Sequence, residues 1–543
     1  MQRAIDREVT DHSALVVDAN PTSRSVLQAQ LREFGFGTVK CTSRIADARE
    51  LIETRGFNLI LCDDTGDGGG HTGQDLLEEL RREQLLPYST VFVMITPEAT
   101  YASVAEAAEA ALDSFMVKPF SANALFERLK EARQRKRVLK TIFEAMEAKD
   151  FERAANLCLE RFNERRLYWL YAARIGAELL LMLNRNEEAK ALYDAVIAAK
   201  TLPWARLGVA RVQLSDGDVA LARRTLEALV SSDPDFADSY DVLGKVHMEQ
   251  GNLAEALETY RKAAEMTPGC VLRLQHAGTL SFYAGDVRSA VQLLERTWQL
   301  GHKSALFDVL SMMLLTLLRF DAGDTKGLEA AYDVLVRFSS RNPESVRLER
   351  MEQLGEVLVR LHRGRLQEGL TLLRCESKDL LEPAFDMESA TNVVSVWTRL
   401  QRLGVGTDEI ESVIGRIAQR FAVSHATCEV LVAAARHHPA SAAIIRDAYA
   451  QVMQVAESAM NLSLRGQPTR AVQTLLQQGG STGNSKLIEM AGLVAKRHQE
   501  RIDGVRELMA AQSDLARRYC AIATHIAGVR RSKRSSGGMV LRR

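Results

Sequence analysis

Four residues of the N-terminal quarter stand where a phosphoryl group could be received. Each closes or follows a short apolar run: Asp18 after ALVV, Asp63 after LILC, Thr96 after VFVMI, and Lys118 after SFMV. A carboxylate nucleophile beside a second acid, a hydroxyl and an ammonium is the set needed for that chemistry. The carboxylate attacks phosphorus, a divalent metal screens the anionic oxygens, and threonine and lysine hold the transferred group.

Such a set works only if one sheet brings it together. The apolar runs between about 14 and 118 are four to six residues long, rich in Val, Ile and Leu, and do not alternate, which predicts strands covered on both faces. Helical patterns separate them. Five βα units then form a doubly wound parallel sheet, an α/β fold whose ligands collect outside the carboxyl ends of the strands. In the first helix Pro21 suits the opening turn and Leu27, Leu31 and Phe34 mark an apolar face. A helix from about 121 to 140 closes the domain.

With 543 residues, 46% of them hydrophobic, the chain can bury several cores, and its length predicts three or four domains. The 70 Lys and Arg balance the 70 Asp and Glu, so no global field selects a polyanion. Nothing in MQRAIDREVTDHS reads as a signal peptide, and no run of membrane-spanning length follows, so the expected setting is the cytoplasm, with no membrane partner. The seven cysteines form no CxxC pair, and neither a disulfide nor a zinc framework is expected.

Beyond 140 the pattern becomes helical and repeats. Ala155, Ala189, Ala222, Ala256 and Ala290 are spaced 34, 33, 34 and 34 apart, and four residues after each stands a larger side chain: Leu159, Tyr193, Leu226, Tyr260 or Leu294. Asn184, Gly217, Gly251 and Gly285 precede most of them by five. The unit is a helix, a tight turn and a second helix, with alanine permitting close approach and the larger residue filling the groove beside it.

Two resemblances follow from these residues. Residues 13 to 136 resemble the receiver domain of bacterial two-component response regulators, with its flavodoxin-like five-stranded sheet. The resemblance implies that Asp63 is the phospho-acceptor, Thr96 the hydroxyl switch, Phe115 the aromatic switch, and Lys118 the phosphoryl-binding lysine, joined to Pro119 by a cis bond. Asp18 matches the first acid of the family's acidic pair, and Ala19 replaces the second. The implied cofactor is a weakly held Mg²⁺ on Asp18, Asp63 and the backbone carbonyl of Thr65. Asp64 or Asp67 would be the replacement ligands, although Asp64 should point away from Asp63 in a pleated strand. The loop DTGDGGGHTG (64 to 73) is longer and richer in glycine than in the family.

The unit 237 to 268 resembles the tetratricopeptide repeat. Tyr240, Leu243, Gly244, Gly251, Ala256, Tyr260, Ala263 and Pro268 fall on its signature. Units at 203 to 236 and 271 to 304 match in part, and 170 to 202 and a half-repeat ending near Phe162 match weakly. The expected organisation is a disordered start (1–12), the receiver (13–136), tetratricopeptide repeats (137–304), irregular repeats of the same kind (305–476), a flexible loop (477–485), C-terminal helices (486–529) and a disordered basic tail (530–543).

Remaining features have plainer readings. Gly68, Gly69 and Gly70 lack the Lys-Ser/Thr of a phosphate-binding loop. His437 and His438, with His425 nearby, read as a helix-end pair unless the fold gathers them with acids. RQRKR (133 to 137) reads as a solvated junction and RRSKR (530 to 534) lacks interleaved aromatics, so nucleic acid is not an expected partner. With no helix-turn-helix and no cyclase signature, the expected output is protein-protein interaction. A sensor histidine kinase would phosphorylate Asp63, and a protein or peptide would enter the repeat groove. The competing reading is a scaffold that needs no phosphate. An enzyme hidden in 305 to 529 has no converging titratable set, and the chemistry expected of the chain stops at accepting a phosphoryl group from a donor.

Overall fold

The computed structural model describes residues 12–64, 73–82, 85–96, 114–302, 306–404 and 409–520. Thr65, Asp67, Gly68 to Gly70, the residues expected to form the fourth receiver helix, the basic tail and nearly all of the expected disordered start lie outside them.

The strands are β1 (Ser13–Val17), β2 (Thr38–Thr42), β3 (Leu59–Asp63), β4 (Val91–Thr96) and β5 (Ser114–Val117), all parallel and in the order β2-β1-β3-β4-β5. The helices of this domain are α1 (Pro21–Glu33), α2 (Ile45–Thr54), α3 (Gly73–Arg82) and α4 (Ala122–Val138). Because successive strand residues point to opposite faces, the apolar runs feed two cores. Val16, Leu61 and Val93 pack with Leu27 and Leu129 on one side, and Leu15, Ile60 and Phe92 pack with Ile52 and Leu77 on the other. Strand order reverses between β1 and β3, which places Asp18 and Asp63 side by side at the switch point.

From Lys140 the described chain is helical hairpins. The expected half-repeat is a complete hairpin, Lys140–Glu147 with Phe151–Asn163, started by Asp150 capping the Arg153 amide. Gly244 of the signature repeat lies so close to the Tyr260 ring that a Cβ there would meet it at 2.6 Å, while Ala256 is fully buried. That is the close approach inferred from the 34-residue period. Turn glycines recur past the regular repeats at Gly323, Gly364, Gly404 and Gly466, all with positive φ, so the irregular region continues as hairpins with longer spacing. No described helix is long and apolar enough to cross a membrane.

Two expectations fail. Residues 477–485 are not a flexible loop. The helix Pro468–Thr482 runs through most of them, Gly483 caps it at φ 69°, and Asn484 caps the next helix, Ser485–Arg497, through the Leu487 amide. Gly479 is present because a Cβ would meet Ile488 at 2.8 Å; the glycines allow helices to touch rather than break them. RQRKR is not a solvated junction either. Arg135 lies over the Tyr171 ring at 4.8 Å, Lys136 over Phe143 at 4.9 Å, and Arg133 meets His12 Nδ1 at 2.6 Å. Tyr88 stacks on Phe143 with centroids 6.4 Å apart, and Lys136 donates to the Tyr88 carbonyl. Arginine and lysine stems bury against aromatic faces while their charges find carbonyls and rings, so the receiver is seated on the first hairpin and the helix after it, Trp169–Met182.

Candidate phosphoryl-acceptor site

Local sequence sets the geometry of the first acid. After β1 the chain turns at Asn20, whose side chain accepts the Thr22 and Ser23 amides at 2.9 and 3.2 Å and starts α1, with Pro21 in its first turn. The same turn fixes Asp18. Its Oδ1 accepts the Asn20 amide at 2.8 Å and its Oδ2 accepts the Ser23 hydroxyl at 2.6 Å. Arg24 donates to the carbonyls of Asp18 and Ala19 at 2.6 and 2.9 Å, which pins the backbone at the altered position.

Asp18, Asp63 and Thr96 are all buried at the carboxyl edge of the sheet. Lys118 joins the first two: its Nζ donates to Asp18 Oδ2 at 2.8 Å and also to Asp63 Oδ2. The Lys118 amide donates to the Thr96 carbonyl at 2.8 Å, and the Lys118–Pro119 peptide is cis, as expected. Asp63 pairs in register with Ile95, so Thr96 stands one residue beyond Asp63 on the neighbouring strand. Phe115 is half-buried and packs on the core beside α2 and α3.

Burial raises the Asp18 carboxyl, but Lys118, Ser23 and the Asn20 amide outweigh it and hold the group below the ordinary carboxylate range. For Lys118, burial works downward and the two carboxylates more than reverse it, so the ammonium is held above its ordinary value. Asp18 and Asp63 share one ammonium, and an acid in place of Ala19 would add a further carboxyl beside them.

These donors fit Mg²⁺ in reduced form. That ion needs only one or two carboxylates when waters and phosphoryl oxygens complete its shell, and Asp18 and Asp63 provide two. The Asp18 oxygens are already engaged by Asn20, Ser23 and Lys118, so a metal would have to share them. Among the described residues no cluster of three or more His, Cys, Asp or Glu could hold an ion. His437 and His438 separate: His437 Nε2 lies 3.4 Å from Asp321, a half-buried carboxylate paired with the buried Arg399, while His438 Nδ1 meets the Ser441 hydroxyl at the start of the next helix.

Ser23, Asn20, Arg24 and Gly73 are site residues the sequence reading missed. The run NPTS carried the capping signal for the first two. Gly73 begins α3 beside Asp63, where a Cβ would meet the Asp63 carbonyl at 2.9 Å and Met94 Sδ at 2.7 Å. Nothing local distinguishes it from the other glycines of that loop.

The family models and the sequence relatives agree with this geometry. The response regulator receiver domain model matches residues 14–130 and a tetratricopeptide repeat model matches 207–269. The chain is 31% identical over 121 residues to the chemotaxis protein CheY of Pseudomonas aeruginosa, covering 22% of this chain and 95% of that one. It is 32% identical over 115 residues to CheY-3 of Vibrio cholerae, 21% of this chain and 86% of that one. A crystal structure of a tetratricopeptide repeat protein from Parabacteroides merdae aligns with 49% of this chain and 98% of its own at 12% identity and a TM-score of 0.35. Sheet order, the pocket at its switch point and the CheY relationship lead to one assignment: the chain belongs to the response regulators, with its receiver domain joined to tetratricopeptide repeats.

Proposed function

We propose that this response regulator receives a phosphoryl group on Asp63 from a sensor histidine kinase and passes the signal on by protein-protein interaction through its solenoid. The observation that carries the reading is the Lys118 ammonium shared between Asp18 and Asp63. A carboxylate oxygen of Asp63 attacks phosphorus, the bond from phosphorus to the donor breaks, and Lys118 then pairs with the phosphoryl oxygens, leaving Asp18 with its Ser23 and Asn20 partners. When bound, Mg²⁺ would be held by Asp18 and Asp63 and would screen the anionic oxygens during transfer. Thr96 would donate its hydroxyl to the transferred group, and its movement with Phe115 would bias an equilibrium between two conformations. The proposed setting is the cytoplasm, where a kinase's ATP is found.

A second reading has its own observation. Ala19 and the internal compensation by Lys118 make the pocket nearly self-sufficient, as a phosphate-independent docking module would need. One experiment separates them: the full chain, Mg²⁺ and a small phosphodonor, followed on a phosphate-affinity gel beside Asp63→Ala. A shifted band absent from Asp63→Ala is the expected result. No shift in a folded chain leaves the scaffold reading.

A further inference from the structure

An open two-layer solenoid leaves one face of each inner helix in solvent, and two helices here lack that face. In the inner helix Val271–Tyr283 every residue but Leu272 is buried, and in Met387–Arg402 burial is continuous from Met387 to Leu400. Helices apolar or buried all round belong to a closed core. What covers part of this surface is the chain itself. The short helix His425–Ala434 packs against Ala237–Glu249 and Val271–Tyr283, two inner helices of the regular repeats.

The contact has three kinds of anchor. Cys428, Leu431 and Ala434 join the same apolar core as Met248, Leu274 and Ala277. The His425 ring rests on the turn glycine Gly251, where a Cβ would meet it at 2.6 Å. Arg436, 154 residues from its partner, donates to the Phe282 carbonyl and lies 4.4 Å from the Phe282 ring centroid. The segment also carries its own start signal, a capping box between Ser424 and Thr427.

We propose that Ser424–His438 is an internal ligand of the solenoid: it occupies the inner face around Gly251 and Phe282, and a partner acting on that face must present an apolar helix followed by an arginine and displace it. This narrows the surface through which the regulator can signal and sets the chemistry of what could open it. It does not depend on phosphorylation of Asp63, and its test contains no phosphodonor.

The test uses the full chain and Arg436→Glu, which removes the donor and sets a carboxylate against the Phe282 carbonyl, with Arg436→Gln as the milder variant should the first lose helical circular dichroism. The readouts are maleimide labelling of Cys428, resolved by mass spectrometry, and binding of a fluorescein-labelled synthetic peptide of residues 424–438 carrying Cys428→Ser. In the wild type Cys375, which is exposed, should label while Cys428 should not, and the peptide should not bind. In the variant Cys428 labelling should rise by roughly tenfold or more and the peptide should bind saturably, with Cys158 still protected. Wild-type Cys428 reacting as fast as Cys375, a variant whose labelling is unchanged, or exposure of Cys428 without peptide binding would each overturn the proposal.

Discussion

The Lys118 ammonium lies 2.8 Å from the Asp18 carboxylate, across 100 residues of sequence, and both groups are shifted in the direction that favours their charged forms. Asp18 is held below its ordinary value, so its contribution to stability is present above that value and is lost as pH falls through the folded one. Lys118 is held above its own, so its contribution is present below that value and is lost as pH rises through the folded one. The pair therefore contributes fully between about pH 5 and pH 9. Lys118→Met should cost about 2 kcal/mol at pH 7 by leaving two buried carboxylates facing each other. Hydrogen exchange of the β1 and β3 amides should show this loss at pH 7, and the difference from wild type should shrink as pH falls and Asp18 protonates.

Restoring the second acid tests the metal. Ala19→Asp should tighten Mg²⁺ binding by roughly tenfold or more, read by isothermal titration calorimetry, because a third carboxylate adds a ligand and a charge. Without metal the same variant should be less stable than wild type, since three acids then share one ammonium. Unchanged Mg²⁺ affinity would shift the deficit from Ala19 to the altered loop.

Two helix-interior glycines should respond with opposite signs. At Gly244 a Cβ would meet the buried Tyr260 ring at 2.6 Å, so Gly244→Ala should destabilise the repeats by about 1–2 kcal/mol despite alanine's better helix propensity. At Gly415 the nearest atom is 3.8 Å away, and Gly415→Ala should be neutral or stabilising by up to about 1 kcal/mol. Thermal unfolding followed by circular dichroism compares them.

The seat of the receiver on the first hairpin rests on Tyr88, which stacks on Phe143 and accepts from Lys136. Tyr88→Ala should raise amide exchange in Lys140–Glu147 while leaving β3 protected. Equal protection in both chains would mean that the continuous run of α4 into the hairpin is enough to hold the junction.

Local code was sufficient for much of this molecule. Apolar runs without alternation specify buried parallel strands, and strand ends specify where Asp18, Asp63, Thr96 and Lys118 must meet. The 34-residue recurrence of small residues specifies helices that touch, as Gly244 against Tyr260 and Ala256 in the core show. Ser23 and Asn20 were legible too, through the capping run NPTS.

What only the tertiary structure decided depends on surfaces far apart in sequence. Glycine serves both turns and close contacts, so Gly479 looked like a breaker until Ile488 stood against it. Arginine reads as solvated until an aromatic face arrives, as Tyr171 does for Arg135. The seating of Ser424–His438 on Ala237–Glu249 and Val271–Tyr283 joins segments far apart in sequence, and it depends on how the hairpins between them stack, which no single residue encodes.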